Sequence, residues 1–216
     1  MESSNTSVRR LELADLIAFV EFINQFRRVE RLIWYKGQER REQDGEHCFQ
    51  LAIVAWFVRD RCNLQRLDLE RILTYALVHD LPETYEGDSC WFAHPDYPQP
   101  SFANKEAREK VAKERIEKEW GVTFPSMVEA LQRYCLQEDE ESRFVYALDK
   151  LVSDLNVYED EGRTNVRLGV TRAEQQAYKV PRIARHKHIA ELYEELLLLF
   201  DQHPEYFHQV MVNAAE

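Results

Sequence analysis

The sequence lacks any apolar stretch long enough to cross a membrane. Within its 216 residues, no apolar run approaches the roughly 20 residues that a membrane-spanning helix needs. The first seven residues, Met-Glu-Ser-Ser-Asn-Thr-Ser, also lack the charged and then apolar layout of a signal peptide. The sequence therefore predicts a soluble, cytoplasmic protein that has no membrane partner.

Paired cysteines and an excess of positive charge are missing as well. Cys48, Cys62, Cys90 and Cys135 show no metal-finger spacing, so we expect reduced thiols. Lys and Arg number 28 against 39 Asp and Glu, which gives a net charge of -11. This acidic balance argues against binding of nucleic-acid polymers or anionic membranes. A small anionic ligand remains possible, because a few local cations can hold it.

Period-two alternation of apolar residues is nearly absent, and no segment is framed by hairpin turns. Apolar residues recur instead at helical spacing, so the sequence predicts an all-α fold. Predicted helices cover about 13–26, 47–61, 69–80, 104–120, 126–135, 142–159 and 186–200, with a short one at 204–212. Residues 29–45 are predicted to be largely loop, with Gly37 and Gly45 as interruptions. We expect a single domain over 1–216, with a core at about 8–160 and C-terminal helices at 172–212 packed on it.

Two features of the apolar pattern bear on packing. The first helix is expected to bury one stripe, formed by Leu13, Leu16, Ile17, Val20, Ile23 and Phe26. Trp56, Phe57 and the run 196–200 are apolar around more of their helices than one core stripe requires. We therefore expect a homodimer.

Four ionisable residues stand where the helical pattern calls for apolar ones: His47, His79, Asp80 and Asp149. An unpaired charge in an apolar interior costs several kcal/mol, so something must compensate these groups. Imidazole nitrogens and carboxylate oxygens suit a divalent ion such as Mn, Co, Fe, Ni or Zn, with Mg also possible. Consecutive helical residues point about 100° apart, so His79 and Asp80 can share an ion only if it lies between their directions.

Each of these residues also has an ordinary structural interpretation. His47 alone could be a satisfied core histidine, and His79 with Asp80 could be a buried pair that holds a helix end. Asp149 could form an ion pair with Lys150. His186 and His188 are expected to be solvated basic residues on different sides of a helix. With His94, His203 and His208, they are not assigned to a metal.

A longer motif joins the candidate residues. It consists of Glu46-His47, then His79-Asp80-x-x-Glu83 continuing to Gly87-Asp88, and then Asp149-Lys150, preceded by Arg31 and Trp34. In this motif the chain resembles the HD-domain metal-dependent phosphohydrolases, and among them the small bacterial 5'-deoxynucleotidases and their relatives. The resemblance covers roughly residues 8–160. It implies an HD-domain helical bundle with its metal site in a cleft between helices.

The resemblance also implies roles for individual residues. His47, His79, Asp80 and Asp149 would hold one divalent ion. Glu83 would act on the attacking water or the leaving oxygen, and Asp88 would lie near the sugar hydroxyl. Arg31 would grip the phosphate, with Trp34 beside it in the substrate site. The chain departs from the family at Cys48, where many relatives have serine, and in the segment 40–44.

The expected reaction is hydrolysis of a deoxyribonucleoside 5'-monophosphate to deoxynucleoside and phosphate. Lys36, Arg40 and Arg41 keep open a second possibility, a phosphohydrolase that releases triphosphate from a deoxynucleoside triphosphate. A non-catalytic nucleotide-binding regulator and a purely structural helical protein also remain possible. The irregular segment 87–102 could be a lid or a specificity loop beside the site.

Overall fold

The computed structural model describes residues 10–88 and 102–209. In these ranges the chain forms helices and one small hairpin, as predicted for an all-α fold. The elements in chain order are α1 (Leu13–Phe26), β1 (Glu30–Trp34), β2 (Arg41–Gln43), α2 (Asp44–Arg61), α3 (Leu69–Val78), α4 (Glu83–Glu86), α5 (Phe102–Trp120), α6 (Pro125–Leu136), α7 (Glu140–Glu159), α8 (Arg163–Leu168), α9 (Arg172–Ile183), α10 (Lys187–Asp201) and a 3₁₀ turn (Pro204–Tyr206).

Helix α7 is the centre of the molecule. It packs against α2, α3, α6, α9 and α10, and most of its residues are buried. Phe144, Val145, Ala147 and Leu148 are completely inaccessible, and the polar Asp149 is buried beside them. Because α7 is enclosed by other helices on most sides, polar side chains on its inner faces are held inside the protein.

Helix α2 begins at Asp44, three residues before the predicted start. The side chain of Gln43 accepts a hydrogen bond from the backbone of Glu46, whose carboxylate accepts one from Gln43 N, and this reciprocal cap fixes the first turn. The prediction that Gly45 interrupts the chain was wrong. Gly45 is helical, and a Cβ there would lie 3.0 Å from Arg27 Cβ. Glycine is needed because α2 begins against the end of α1.

The prediction of a loop over residues 29–45 was also wrong, because the segment contains a β-hairpin. Strands β1 and β2 are antiparallel, and Gly37 takes a positive φ of 70° in the connecting turn. Both strands are short; the apolar residues of β1 are consecutive and β2 has none, so neither strand shows alternation of apolar residues. The hairpin is held by packing of β1 on α7 and α8, which no local pattern reveals.

Helix α1 has its predicted bounds but buries only the C-terminal end of the predicted stripe. Leu13, Leu16, Ile17 and Val20 are 44–70% exposed, whereas Phe22 and Phe26 are buried. The buried face is aromatic: the Phe22 ring lies 5.3 Å from that of Trp120 and 5.8 Å from that of Tyr85. Aromatic contacts with α5 and α4 therefore orient this helix.

The C-terminal part contains two further departures. The helix expected at 204–212 is a 3₁₀ turn in its described portion, which ends at residue 209. His186 was predicted to be solvated, but it is buried, packs on Phe144, and has its ring 5.8 Å from that of His188. It precedes α10, where the chain turns against the core. The remaining predicted helices have bounds close to those observed.

Some expectations fall on residues outside the described ranges. Most of the proposed lid or specificity loop, together with His94 and Cys90, belongs to residues 89–101. Cys48, Cys62 and Cys135 are free cysteines. Among the described residues, no helix combines the length and the apolar character needed to cross a bilayer.

Candidate functional site

The two predicted imidazoles face each other in the core. His47 lies in the first turn of α2 and His79 directly follows α3, so their positions depend on the packing of these two helices. The ring centroids are 5.4 Å apart with an interplanar angle of 61°. Both residues are buried.

Two carboxylates complete the group. His47 Nε2 lies 3.0 Å from Asp149 Oδ1 and 3.9 Å from Asp80 Oδ2, while His79 Nε2 lies 3.0 Å from Asp80 Oδ2. One donor atom each from His47, His79 and Asp80 falls within 4.8 Å of the others. The structure thus brings together all four residues that the sequence singled out on three separate segments.

The donor set suits a cation. His79 Nδ1 lies 3.0 Å from the carbonyl oxygen of Ala76, and this contact orients the ring so that Nε2 faces Asp80. Burial alone would lower the pKa of His79, but the charge of Asp80 raises it well above its usual value, so a positive charge is favoured at this position. Burial lowers the pKa of His47 to about 4, so this imidazole is neutral at pH 7. Among the described residues, both ring nitrogens of His47 and His79 Nε2 have no hydrogen-bond partner. Buried lone pairs that converge on carboxylates are favourable only with a positive charge between them.

Asp149 is ionised in this environment. Burial alone would raise its pKa, but Lys150 Nζ at 2.6 Å from Oδ2 and the neighbouring His47 hold the pKa well below its usual value. The ion pair with Lys150, which was one alternative interpretation of Asp149, is therefore present, although Asp149 is buried. It uses Oδ2 and leaves Oδ1 facing His47.

Arg31 lies on β1 and links the hairpin to this group. Its Nη1 donates to Asp80 Oδ2 at 2.9 Å and to Asp44 Oδ1 at 3.3 Å, and its Nε lies 3.2 Å from Glu42 Oε2. The guanidinium is nearly buried, so the carboxylates that surround it stabilise its charge. Arg31 therefore lies beside the candidate metal ligands.

Glu83 and Asp88 lie on the same side of the site. Glu83 begins α4, one turn after Asp80, and burial together with the Asp80 charge raises its pKa well above its usual value. Asp88 accepts a hydrogen bond from Leu32 N at 2.9 Å, which ties it to β1 next to Arg31. Glu83, Asp88 and Arg31 all line one cavity together with Asp80 and Asp149.

Trp34 lies elsewhere. Its ring is covered by Arg167, whose guanidinium carbon is 4.2 Å from the ring centroid, and it faces a separate depression with Glu46 and Asn156. Its backbone N–H donates to Thr164 Oγ1 at 3.0 Å, which joins β1 to α8. The structure does not bring the Trp34 ring to the cavity that contains Arg31.

Two buried carboxylates were not found from the sequence. Burial raises the pKa of Glu42 and of Asp44 to about 7. Both residues belong to the segment interpreted as loop, where acidic side chains are expected to be solvated. The burial of these two carboxylates depends on the hairpin, which turns the segment inward, and the hairpin was not predicted.

The cavity extends well beyond the charged group. From Asp149 it follows α7 through Ser153 to Val157, and its far wall comes from α8, α9 and the residues between them. The contribution of these C-terminal elements was also missed, because their sequence contains no motif that points to a site.

Comparison with known proteins identifies the same family as the sequence motif does. A family model described as HD domain matches residues 23–191. The 5'-deoxynucleotidase HDDC2 of Mus musculus is 29% identical over 153 residues, which cover 68% of this chain and 71% of that protein. The 5'-deoxynucleotidase hdd1 of Schizosaccharomyces pombe is 22% identical over 151 residues, covering 69% and 74%.

Solved structures share the fold. A crystal structure described as a predicted metal-dependent phosphohydrolase from Magnetospirillum magnetotacticum superposes with a TM-score of 0.74 at 27% identity, covering 91% of this chain and 96% of that one. A conserved hypothetical protein from Pyrococcus furiosus gives a TM-score of 0.59 at 21% identity, covering 86% and 99%. The second likeness concerns the fold alone.

Proposed function

The chain belongs to the HD domain family, and from this premise we propose that it is a metal-dependent 5'-deoxynucleotidase. It would hydrolyse deoxyribonucleoside 5'-monophosphates to deoxynucleoside and phosphate. The observation that carries this proposal is the convergence of His47, His79, Asp80 and Asp149 beside Arg31, at one end of a cavity. The 5'-deoxynucleotidase relatives support the choice of substrate.

His47, His79, Asp80 and Asp149 are the proposed metal ligands. Two neutral imidazoles and two carboxylates suit one divalent transition ion such as Mn, Co, Fe, Ni or Zn better than Mg, which prefers oxygen ligands alone. When bound, such an ion supplies positive charge for phosphate oxygens and acidifies a water molecule. The orphaned nitrogens of both histidines support this assignment.

The other residues of the charged end have distinct proposed roles. A phosphate monoester brings about two negative charges, and the Arg31 guanidinium can donate two hydrogen bonds to its oxygens. Glu83, whose raised pKa favours the protonated carboxyl, is positioned to hold or transfer a proton at the attacking water or the leaving oxygen. Asp88 would accept a hydrogen bond from the sugar hydroxyl. Positioning and charge stabilisation then supply most of the rate.

Hydrolysis of triphosphates is the second candidate, and the structure offers it little support. Arg40 pairs with Glu46 at 2.7 Å, and Lys36 forms an ion pair with Glu159. Neither residue lines the cavity that contains Arg31, and Arg41 does not line it either. The three cations that could have bound a triphosphate therefore lie outside this cavity. Their position favours a monophosphate as the substrate.

Two further proposals concern the state of the protein. We propose a homodimer formed through the exposed apolar side of α2, where Phe49, Ile53, Trp56 and Phe57 are 48–68% exposed. We also propose a cytoplasmic location, because the four cysteines show no disulfide pattern. The substrate would be a free nucleotide and not a nucleic-acid polymer.

The decisive experiment uses purified protein loaded with Mn²⁺ or Co²⁺ and a panel of deoxyribonucleoside mono- and triphosphates. Release of phosphate from monophosphates supports the proposal. Release of triphosphate would identify the second candidate, and nucleotide binding without turnover would identify a regulator. If the metal-free protein is as stable as the loaded one and neither binds nor hydrolyses nucleotides, the protein is structural.

A further inference from the structure

The cavity has a second end that the proposed chemistry does not use. On α7, Asp149, Ser153 and Val157 are spaced four residues apart and line the cavity along one side. Eight residues of α-helix advance about 12 Å, so the cavity continues two turns beyond the metal-binding end. A phosphate held at Asp149 and Arg31 would leave the remainder of its ester along this wall.

The far end is closed by an apolar wall. Val157, Leu168 and Val170 are all buried and line the cavity. Lys179 also lines it, but its ammonium is neutralised by Asp154 at 3.2 Å and donates to Ser153 Oγ and to Lys150 O. The positive charge at this end is therefore already paired, which favours an uncharged group here over a second phosphate.

One hydrogen-bond donor in this wall has a fixed orientation. Gln175 is 1% exposed, and its Oε1 accepts a hydrogen bond from Arg172 Nη1 at 3.1 Å. Arg172 is itself held by Leu197 O at 2.9 Å and by Asp201 at 3.0 Å. Rotating the amide would place its NH₂ group against the guanidinium, so Nε2 must point the other way. Among the described residues, Nε2 has no hydrogen-bond partner.

A second donor lies in the same wall. Asn165 on α8 is 5% exposed, and its Nδ2 likewise lacks a partner within the described part of the chain. Burial of a donor without an acceptor is unfavourable, because the donor loses its hydrogen bonds to water. Two such donors in one cavity therefore indicate a ligand that brings acceptors to both.

We propose that Val157, Leu168, Val170, Asn165 and Gln175 form the subsite for the nucleobase, and that this subsite selects bases with an exocyclic oxygen. The inference rests on the proposed nucleotidase function and specifies its substrate class. Thymine, uracil, cytosine and guanine each carry an exocyclic carbonyl oxygen that can accept from the amide donors. Adenine alone has none, and its exocyclic amino group is itself a donor that would oppose them. The apolar side chains pack against the ring of either kind of base.

The test is a Gln175→Glu variant. It has the same shape and keeps an oxygen that accepts from Arg172, but it replaces the Nε2 donor with an acceptor. We expect kcat/KM for thymidine 5'-monophosphate to fall roughly 10-fold or more, because a site that hydrogen-bonds its substrate discriminates strongly when a partner is lost. Deoxyribose 5-phosphate carries no base, so its kcat/KM should stay within about twofold of the unmodified protein's.

Neighbouring and alternative variants make the result interpretable. Gln176→Glu adds the same charge one position further along α9, at a residue that does not line the cavity, and should leave both substrates unaffected. Asn165→Asp should reproduce the selective loss if Gln175→Glu does not fold. The unmodified protein provides an independent measurement, since it should prefer thymidine 5'-monophosphate to deoxyadenosine 5'-monophosphate.

The outcomes separate this inference from the function on which it rests. Absence of hydrolysis for every substrate refutes the nucleotidase. A second outcome is that monophosphates are hydrolysed but Gln175→Glu and Asn165→Asp lower activity on deoxyribose 5-phosphate as much as on thymidine 5'-monophosphate. In that case the proposed nucleobase subsite is wrong, and the proposed nucleotidase function is still supported. Equal kcat/KM for thymine and adenine substrates in the unmodified protein would overturn the subsite as well.

Discussion

His47 Nε2 lies 3.0 Å from Asp149 Oδ1, although the two residues come from helices that are far apart in the sequence. This contact joins the start of α2 to the middle of α7. It exists because α7 is enclosed by the bundle and turns Asp149 inward, towards the imidazole.

The first prediction concerns this contact. Asp149→Asn should keep the shape of the site but remove one proposed ligand charge. We expect metal content after dialysis to fall well below one ion per chain, and phosphate release to drop by more than the roughly 10–100-fold typical of changes outside the ligands. Elemental analysis and a phosphate assay measure both quantities. Glu159→Gln removes an exposed carboxylate from the same helix and should change neither.

Glu42 should act as a positioning residue. Its Oε2 lies 3.2 Å from Arg31 Nε and 4.0 Å from His47 Nδ1, and its Oε1 accepts from Asn156 Nδ2 at 3.1 Å. A carboxylate behind a metal-binding histidine fixes its ring, so Glu42→Gln should weaken metal binding about 10–100-fold. Calorimetric titration with Mn²⁺ measures the change, and Glu42→Asp should restore part of the affinity.

The control for that experiment is Glu39→Gln. Glu39 belongs to the same hairpin but is exposed and pairs with Arg167. If both glutamine variants weaken metal binding equally, the effect comes from the hairpin as a whole and Glu42 has no positioning role.

The Arg31→Lys variant should show whether phosphate binding needs the shape of the guanidinium as well as its charge. Lysine keeps the positive charge but cannot contact Glu42, Asp44 and Asp80 at once or donate in a fork to phosphate oxygens. We expect kcat/KM for a deoxynucleoside monophosphate to fall at least about tenfold, while metal content stays near that of the unmodified protein. Arg28→Lys, at an exposed position near the end of α1, is the matched control. Unchanged kinetics in Arg31→Lys would mean that Arg31 does not grip the phosphate.

The buried carboxyl of Asp44 should make the metal-free protein less stable at neutral pH than at mildly acidic pH. Burial, with Asp80 nearby, raises its pKa to about 7 from an ordinary value of 3.8. The folded protein therefore binds a proton that the unfolded chain has lost between about pH 4 and 7, and this contribution to stability is lost as pH rises through 7. Asp44→Asn, which is always neutral, should gain roughly 2 kcal/mol relative to the unmodified protein between pH 5 and pH 8.

Urea unfolding of both proteins at the two pH values tests this expectation. Glu46→Gln is a useful comparison, because Arg40 lowers the pKa of Glu46 and removing that carboxylate should bring no gain at pH 8. A difference between Asp44→Asn and the unmodified protein that does not depend on pH would contradict the prediction.

The homodimer is tested by its mass. Light scattering should give twice the chain mass of 25.7 kDa, and Phe57→Asp, which places a charge on the exposed side of α2, should give the monomer. Val122→Asp changes another strongly exposed apolar residue, away from α2, and should leave the dimer intact. A monomeric mass for the unmodified protein at micromolar concentration would remove the proposal.

The sequence predicted most helices because their stripes are long and regular. It failed where tertiary contacts decide the outcome. Most of the aliphatic stripe of α1 remains exposed because Phe22 packs on Trp120 and Tyr85 and turns a different face inward, a choice that periodicity alone cannot predict. The hairpin was missed because β1 and β2 have only five and three residues, and neither shows an alternation of apolar and polar residues.

The residues of the candidate site were likewise predicted only in part. His47, His79, Asp80 and Asp149 could be singled out because they interrupt apolar stripes, and the structure brings them together. Glu42 and Asp44 could not be found, because acidic residues in a polar segment give no sign of burial. Gln175 and Asn165 were missed for a related reason: an amide becomes informative only when its neighbours and its unpaired N–H are known.

The hydrogen bond from Trp34 N to Thr164 Oγ1 has a consequence for how the two ends of the cavity communicate. Thr164 precedes Asn165 on α8, and Trp34 follows Arg31 by three residues on β1. A ligand that displaced α8 would therefore also shift the hairpin that carries Arg31, through this hydrogen bond and through those from Arg163 to Tyr35 O and Gln38 O. The proposed nucleobase subsite and the proposed phosphate-binding Arg31 would thus be mechanically linked, so variants of Thr164 should disturb both at once.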